Sequence, residues 1–391
     1  MWSASAVDFA FTDEQRMLRE MVVDFVEREC PKPVARELEA SGEYPAALAA
    51  RIAEAGLNGI GVPEEYGGQG GDIIDQCIVC EELSRSLGGL AWLWGLTVWS
   101  GAKALLLHGS DAQREELLPK IADGSLTYAF ALTEPGGGTD VLRAMRTRAR
   151  PVDGGYALRG NKIWSTLAHV ADRILVLARS ADADKPSRGL TMFNVDGHSA
   201  GLTATPIPKL GMRALGSCEV SFDDVFVPEA DVLGEVGGGW RQVTASLNSE
   251  RIMVAAMCTG ILRGVLEDAI AYAKEREAFG KPIGALQAVQ HHIADIAMDV
   301  ETCRLHTYRA AWLEREGKPC GVEATMAKCL TAELATKGAD MGIQILGGYG
   351  YSHEYDMQRY WRDVRLYRIG PISTEMSKNF IGESLGLPRS F

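Results

Sequence analysis

The stretch Ala131-Leu132-Thr133-Glu134-Pro135-Gly136-Gly137-Gly138-Thr139-Asp140-Val141 sits at a change of texture in the chain. Before it, from residue 12 to about residue 118, apolar residues such as Met17, Met21, Val22 and Phe25 recur at three- and four-residue steps, the spacing of one helix face. After it, to about residue 236, short β-branched or alternating runs take over at 156–158, 174–177, 190–195 and 219–222, divided by Gly, Asp and Pro. From Trp240 the helical period returns in long segments at 240–276, 286–316, 322–346 and 374–385. The order predicts an α+β chain with three parts: an N-terminal helical domain over 1–126, a small antiparallel β-domain over 127–236 and a C-terminal helical bundle over 237–391.

Composition narrows the function. The 391 residues carry 46% hydrophobic and 24% charged side chains, enough for two or three packed cores. A formal charge of −12 repels phosphate backbones, so nucleic acid is not expected as a partner. Eight cysteines are scattered through apolar helical patterns, which suggests reduced core thiols; Cys77 and Cys80 lack the second pair that a zinc site needs, and no metal is expected. The glycine-rich loop at 63–71 lacks the strand and spacing of a dinucleotide fingerprint. Residues 1–9 do not read as an export signal, and no apolar run is expected to reach the roughly 18 residues of a membrane span. The expected location is cytoplasmic.

One carboxylate stands out. Val243, Leu247, Glu250, Val254, Met257, Ile261 and Val265 recur at helical steps on one face. Glu250 interrupts that apolar stripe. Burial there raises a carboxyl pKa toward the range of a general base, unless an ion pair, such as one with Arg251, compensates it.

Four segments, in order, resemble the acyl-CoA dehydrogenase family. They are the stretch at 131–141; Gly160-Asn161-Lys162-Ile163-Trp164-Ser165-Thr166; Tyr272-Ala273-Lys274-Glu275-Arg276-Glu277-Ala278-Phe279-Gly280-Lys281-Pro282-Ile283 with Gln287; and Gln344-Ile345-Leu346-Gly347-Gly348-Tyr349-Gly350-Tyr351 leading into Arg362-Asp363. The opening Phe11-Thr12-Asp13-Glu14-Gln15 fits as well. The resemblance implies FAD, its isoalloxazine ring held by Phe130, Leu132 and Thr133 on one segment and Trp164, Ser165 and Thr166 on the other. Arg276, Phe279 and Gln287 would reach a neighbouring subunit's FAD, and Gln344, Gly347 and Gly348 would line its adenosine end. An arginine fork suits a pyrophosphate, and glycines admit close backbone approach. A homo-oligomer follows, in the family usually a dimer of dimers.

Many members carry the catalytic glutamate in a Y-E-G-T segment, where this chain reads Gly370-Pro371-Ile372-Ser373. Ser373 and Glu375 retain that segment's FAD-contacting places. Glu250 matches the alternative base of isovaleryl-CoA and long-chain acyl-CoA dehydrogenases, on the helix that opens the C-terminal domain. Pro371 has no N–H to help polarise the thioester carbonyl; the alignment is shifted by one, another donor substitutes, or the acidifying site is weaker. Thr139, Asn248 and Arg251 match positions near the thioester arm. Trp92, Trp94 and Trp99 border the acyl pocket or belong to the core. The implied reaction is α,β-dehydrogenation of an acyl-CoA to a trans-2-enoyl-CoA, with electrons passed to an electron-transfer flavoprotein. The alternatives are a carrier-protein thioester as substrate, a flavin monooxygenase or oxidase on the same fold, and a non-catalytic nucleic-acid-binding relative.

Overall fold

A computed structural model describes residues 10–389. The segment 1–9, on which the expectation about an export signal rests, lies outside the described residues. The N-terminal part begins with the helix Asp13–Glu29, whose capping box is reciprocal: Gln15 N donates to Thr12 Oγ1 and Thr12 N to Gln15 Oε1, both at 3.2 Å. Helices at Lys32–Ser41, Ala46–Glu54, Ile73–Ser86, Leu90–Leu96 and Asp111–Ala122 follow. Between the last two, Thr97–Lys103 forms a π-helical turn whose Thr97 Oγ1 accepts from Tyr128 N at 3.1 Å, tying it to the sheet.

Eight strands form that sheet: β1 Tyr128–Ala131, β2 Arg148–Val152, β3 Gly155–Thr166, β4 Arg173–Arg179, β5 Leu190–Asp196, β6 Leu202–Pro206, β7 Ser217–Pro228 and β8 Val232–Leu233. They run in the order β6-β7-β3-β2-β4-β5-β8, with β1 also paired to β4. Most pairings are antiparallel, as expected from sequence, with two parallel exceptions. β1 lies parallel to β4 and β2 meets β4 in parallel at Arg148 and Arg179, because the β2–β3 hairpin intervenes before the chain returns to β4. Alternation within short strands does not encode such pairings.

The C-terminal part contains the 37-residue helix Gly239–Glu275, then Gln287–Arg315, Gly321–Leu346, Met357–Val364 and Thr374–Ser384. The longest helix packs against Ile73–Ser86 of the N-terminal part as well as its own neighbours. Two glycines allow that approach: a Cβ at Gly260 would stand 2.0 Å from Glu81 O, and one at Gly264 2.5 Å from Arg85 O. Arg263, between them, ties the same helices by pairing with Glu81 at 2.7 Å and Glu82 at 2.6 Å. All eight cysteines are buried and free. Leu90–His108 corrects the expectation about apolar runs. By length and composition it qualifies as a span, with mean hydropathy 1.3 over its most apolar 18 residues, but 78% of that stretch is buried in the fold, as in a core helix.

Candidate active site

The two signature segments meet through one buried lysine. Lys162, fully buried, donates to Leu132 O at 3.0 Å and pairs with Glu134 Oε1 at 2.9 Å. Glu134 also accepts from Arg146 N at 2.6 Å and Thr147 N at 2.9 Å. Burial alone would raise Glu134, but the Lys162 ammonium and the Thr147 N–H outweigh it and hold the carboxyl below its ordinary range. Ile163 N completes the junction by donating to Thr133 O at 2.8 Å. Lys162 and Glu134 stand inside the quoted motifs, yet reading the sequence assigned neither a role.

The β3–β7 register slips between Lys162 and Ser165. At that irregularity Trp164 adopts φ 62° and leaves its indole 57% exposed. A bulky residue in the left-handed region is strained, and such strain concentrates at functional sites. Ser165 turns inward, 1% exposed, with an Oγ that has no hydrogen-bond partner among the described residues. Thr166 and Thr133 are half-buried, Thr139 is exposed, and added Cβ atoms at Gly136 and Gly138 would meet nothing within 4 Å. An exposed indole, adjacent hydroxyls and an open glycine loop fit a planar cofactor lying against β3.

Glu250 is 8% exposed, and its carboxylate makes no hydrogen bond or ion pair among the described residues. Burial pushes its carboxyl up to about 7, against the opposing pull of Arg251 and Lys328. Arg251 does not compensate it by direct pairing: its Nη1 donates to Asn248 Oδ1 at 3.4 Å and Thr325 Oγ1 at 3.3 Å. A path of contacts joins Glu250 to the first segment. One turn before it, Ser246 O accepts from Trp99 Nε1 at 3.2 Å, and Trp99 meets Phe130 edge-on at 5.5 Å.

Sequence profiles for the N-terminal, middle and C-terminal domains of acyl-CoA dehydrogenases match residues 12–125, 129–225 and 237–386. The chain belongs to the acyl-CoA dehydrogenase family. It is 36% identical to a probable acyl-CoA dehydrogenase, YngJ, of Bacillus subtilis (strain 168), covering 97% of this chain and 100% of that one. It is also 36% identical to a mitochondrial isovaleryl-CoA dehydrogenase of Oryza sativa subsp. japonica, over 98% of this chain and 93% of the other. The solved butyryl-CoA dehydrogenase of Megasphaera elsdenii superposes with a TM-score of 0.94 at 34% identity, covering 97% and 100% of the two chains.

FAD is the cofactor of this family, and the remaining family motifs converge elsewhere on the chain. Arg276 lies over the Tyr349 ring at 5.8 Å and, with Tyr272, Ile345, Gly347 and Gly348, lines a cleft of about 490 Å3. No residue of 130–139 or 164–166 lines this cleft. Nearby, a tight hairpin turn places Phe279 and Gly280 at φ 54° and 76° and leaves Phe279 92% exposed; only glycine-like positions adopt that turn without strain. Gln287 and Gln344 are exposed.

The C-terminal loop is held by a second buried lysine that sequence reading missed. Lys328, fully buried, donates to Tyr367 O at 2.6 Å and to Ile372 O. Pro371 between them is exposed and follows a cis peptide bond. Ser373 caps the next helix, its Oγ accepting from Met376 N at 3.2 Å, and Glu375 is exposed in the first turn. Trp92 Nε1 donates to Tyr367 OH and Trp94 Nε1 to Leu57 O, both at 2.9 Å; Trp94 is buried in the core and Trp92 packs half-buried against it.

Proposed function

We propose that this chain is an FAD-dependent acyl-CoA dehydrogenase in which Glu250 removes the substrate's α-proton. The observation that carries the reading is a buried carboxylate, free of hydrogen bonds among the described residues, held near neutrality one helical turn from the residue that anchors Trp99 beside Phe130. A base works best with its pKa near the operating pH. Bound FAD supplies the acceptor for the β-hydride, so loss of the α-proton to Glu250 leaves a trans-2-enoyl thioester.

Leu132, Thr133 and the backbone of Ser165, fixed by Lys162, with the Trp164 indole and the Thr166 hydroxyl, hold the ring. Ser373 and Glu375 border it from the C-terminal loop. Asn248, Arg251 and Thr139 receive the thioester arm, and the apolar stripe around Glu250 keeps water from the reacting carbon. A free CoA carrier is preferred to a carrier-protein thioester; comparing the two with one acyl group would reverse that choice if only the carrier form reduces the flavin.

Arg276, Phe279, Gln287, Gln344, Gly347 and Gly348 serve a neighbour's cofactor in a cytoplasmic homotetramer. What supports this is the separation of their cleft from the ring site and the exposure of a strained Phe279. An electron-transfer flavoprotein takes the electrons. The test is anaerobic mixing of the yellow protein with a panel of acyl-CoAs. Flavin bleaching with enoyl product is expected; protein that releases no flavin on denaturation and takes up no FAD overturns the proposal.

A further inference from the structure

Lys209, in the connection between β6 and β7, has not entered the chemistry so far. Its ammonium has three donors and no acceptor. It donates to Leu215 O and, at 2.9 Å, to Ser217 Oγ. Ser217 is paired with Thr166 across the β7–β3 register, and their hydroxyl oxygens lie 3.5 Å apart, at the long end of hydrogen-bond range. Accepting from a cation polarises the Ser217 hydroxyl and makes its own proton a better donor to the next acceptor in range. Thr166 Oγ1 is its hydrogen-bond partner among the described residues. Thr166 then accepts, and its O–H proton has no acceptor on this chain among the described residues.

We infer that Lys209 is a positioning residue which, through Ser217, orients the Thr166 hydroxyl as a donor toward the cofactor ring. The inference rests on the reading that places Thr166 beside FAD. Charge favours one direction for the relay, because a chain of hydrogen bonds that begins at a half-buried ammonium is polarised away from it. A donor fixed in advance at the electron-accepting edge favours the reduced ring without reorganising during reaction.

The loop that carries Lys209 is also held by hydrogen bonds that do not involve it. Met212 N donates to Asp363 Oδ1 at 2.7 Å, Arg213 N to Glu39 Oε2 at 2.8 Å, and Arg362 Nη1 to Leu210 O at 2.9 Å. These ties pin the connection independently. Burial pulls the Lys209 ammonium down to about 8, against the opposing pull of Glu39, Asp363 and Cys218. Lys209, His169 and Gly216 line one cleft of about 920 Å3, which leaves the ammonium within reach of water.

The test uses the FAD-loaded enzyme and four variants: Lys209→Met, Ser217→Ala, Thr166→Val and the double variant Lys209→Met/Thr166→Val. Flavin midpoint potential, FAD content and melting temperature are measured without substrate. Thr166→Val is expected to disfavour two-electron reduction by about tenfold, as losing one oriented donor does. Lys209→Met and Ser217→Ala should each match it, and the double variant should fall no further than Thr166→Val. Ser217→Ala keeps the lysine and breaks the relay if Lys209→Met folds poorly. Additive losses in the double variant, or a parental potential in both Lys209→Met and Ser217→Ala, overturn the inference while leaving the function intact. A parental potential in Thr166→Val overturns both the relay and the placement of Thr166, and a flavin-free parent overturns the functional proposal itself.

Discussion

Two glutamates on this chain are equally hidden and have opposite fates. Glu134 is 5% exposed and Glu250 8%. Glu134 is surrounded by donors, two backbone N–H groups and the Lys162 ammonium, and stays ionised. Glu250 has none of these, and burial lifts it to about 7. Burial by itself therefore does not raise a carboxyl; burial without donors does. The same fold ties one carboxylate between two segments and leaves the other, the proposed base, without a hydrogen-bond donor.

The strongest way to break this contrast is Glu250→Gln, which keeps the shape and removes the basic oxygen. Flavin reduction by the best acyl-CoA is expected to slow by about a hundred- to ten-thousand-fold in stopped-flow measurements, with FAD retained. Reduction at the parental rate would end the assignment of Glu250.

Removing the donor from the other glutamate gives the next largest effect. Lys162→Met strands a buried carboxylate, so unfolding in urea should show a loss of about 3–5 kcal/mol, accompanied by loss of FAD. A variant as stable as the parent would mean that the pair is not the lock between the loops.

Glu250→Gln should act in the opposite direction on stability. The folded carboxyl titrates near 7 and the unfolded one near 4.5, so the folded state holds the extra proton between those values. Stability from this group therefore falls as pH rises through that window. Above pH 7 it costs about 3 kcal/mol. The glutamine variant should recover much of that in urea at pH 8 and little at pH 4. Activity has the opposite slope, because the base must be ionised: kcat/KM should rise with pH through an apparent pKa near 7.

Lys328 sharpens the comparison further, since its charge favours ionised Glu250. Lys328→Met is expected to move the acid limb of the kcat/KM profile upward; an unmoved limb would restrict Lys328 to holding residues 367–372. The smallest effect expected is partial recovery of flavin reduction when Pro371→Glu is placed in the Glu250→Gln background, which restores a carboxylate and an N–H at the family's other position.

Much of the architecture was legible in the sequence because it rests on local periodicity. The predicted segments 286–316 and 322–346 correspond to helices Gln287–Arg315 and Gly321–Leu346, since long amphipathic runs carry their own start and stop signals. The candidate residues were legible for a different reason: their motifs are short, contiguous and in family order. The sequence also determined that Glu250 shares a helix face with six apolar residues. Whether that face would be buried depended on the helices packed against it, and whether Arg251 would pair with the carboxylate depended on Asn248 and on Thr325 in another helix.

Tertiary structure alone decided the rest. It paired β1 in parallel with β4, turned Ser165 inward and Trp164 outward at a register slip, and buried Leu90–His108 as core. It also brought Lys162 to Glu134 and Lys209 to Ser217 and Thr166. Helix and strand patterns are set by neighbours along the chain, whereas the protonation of a buried group and the direction of a hydroxyl are set by partners that only folding brings near.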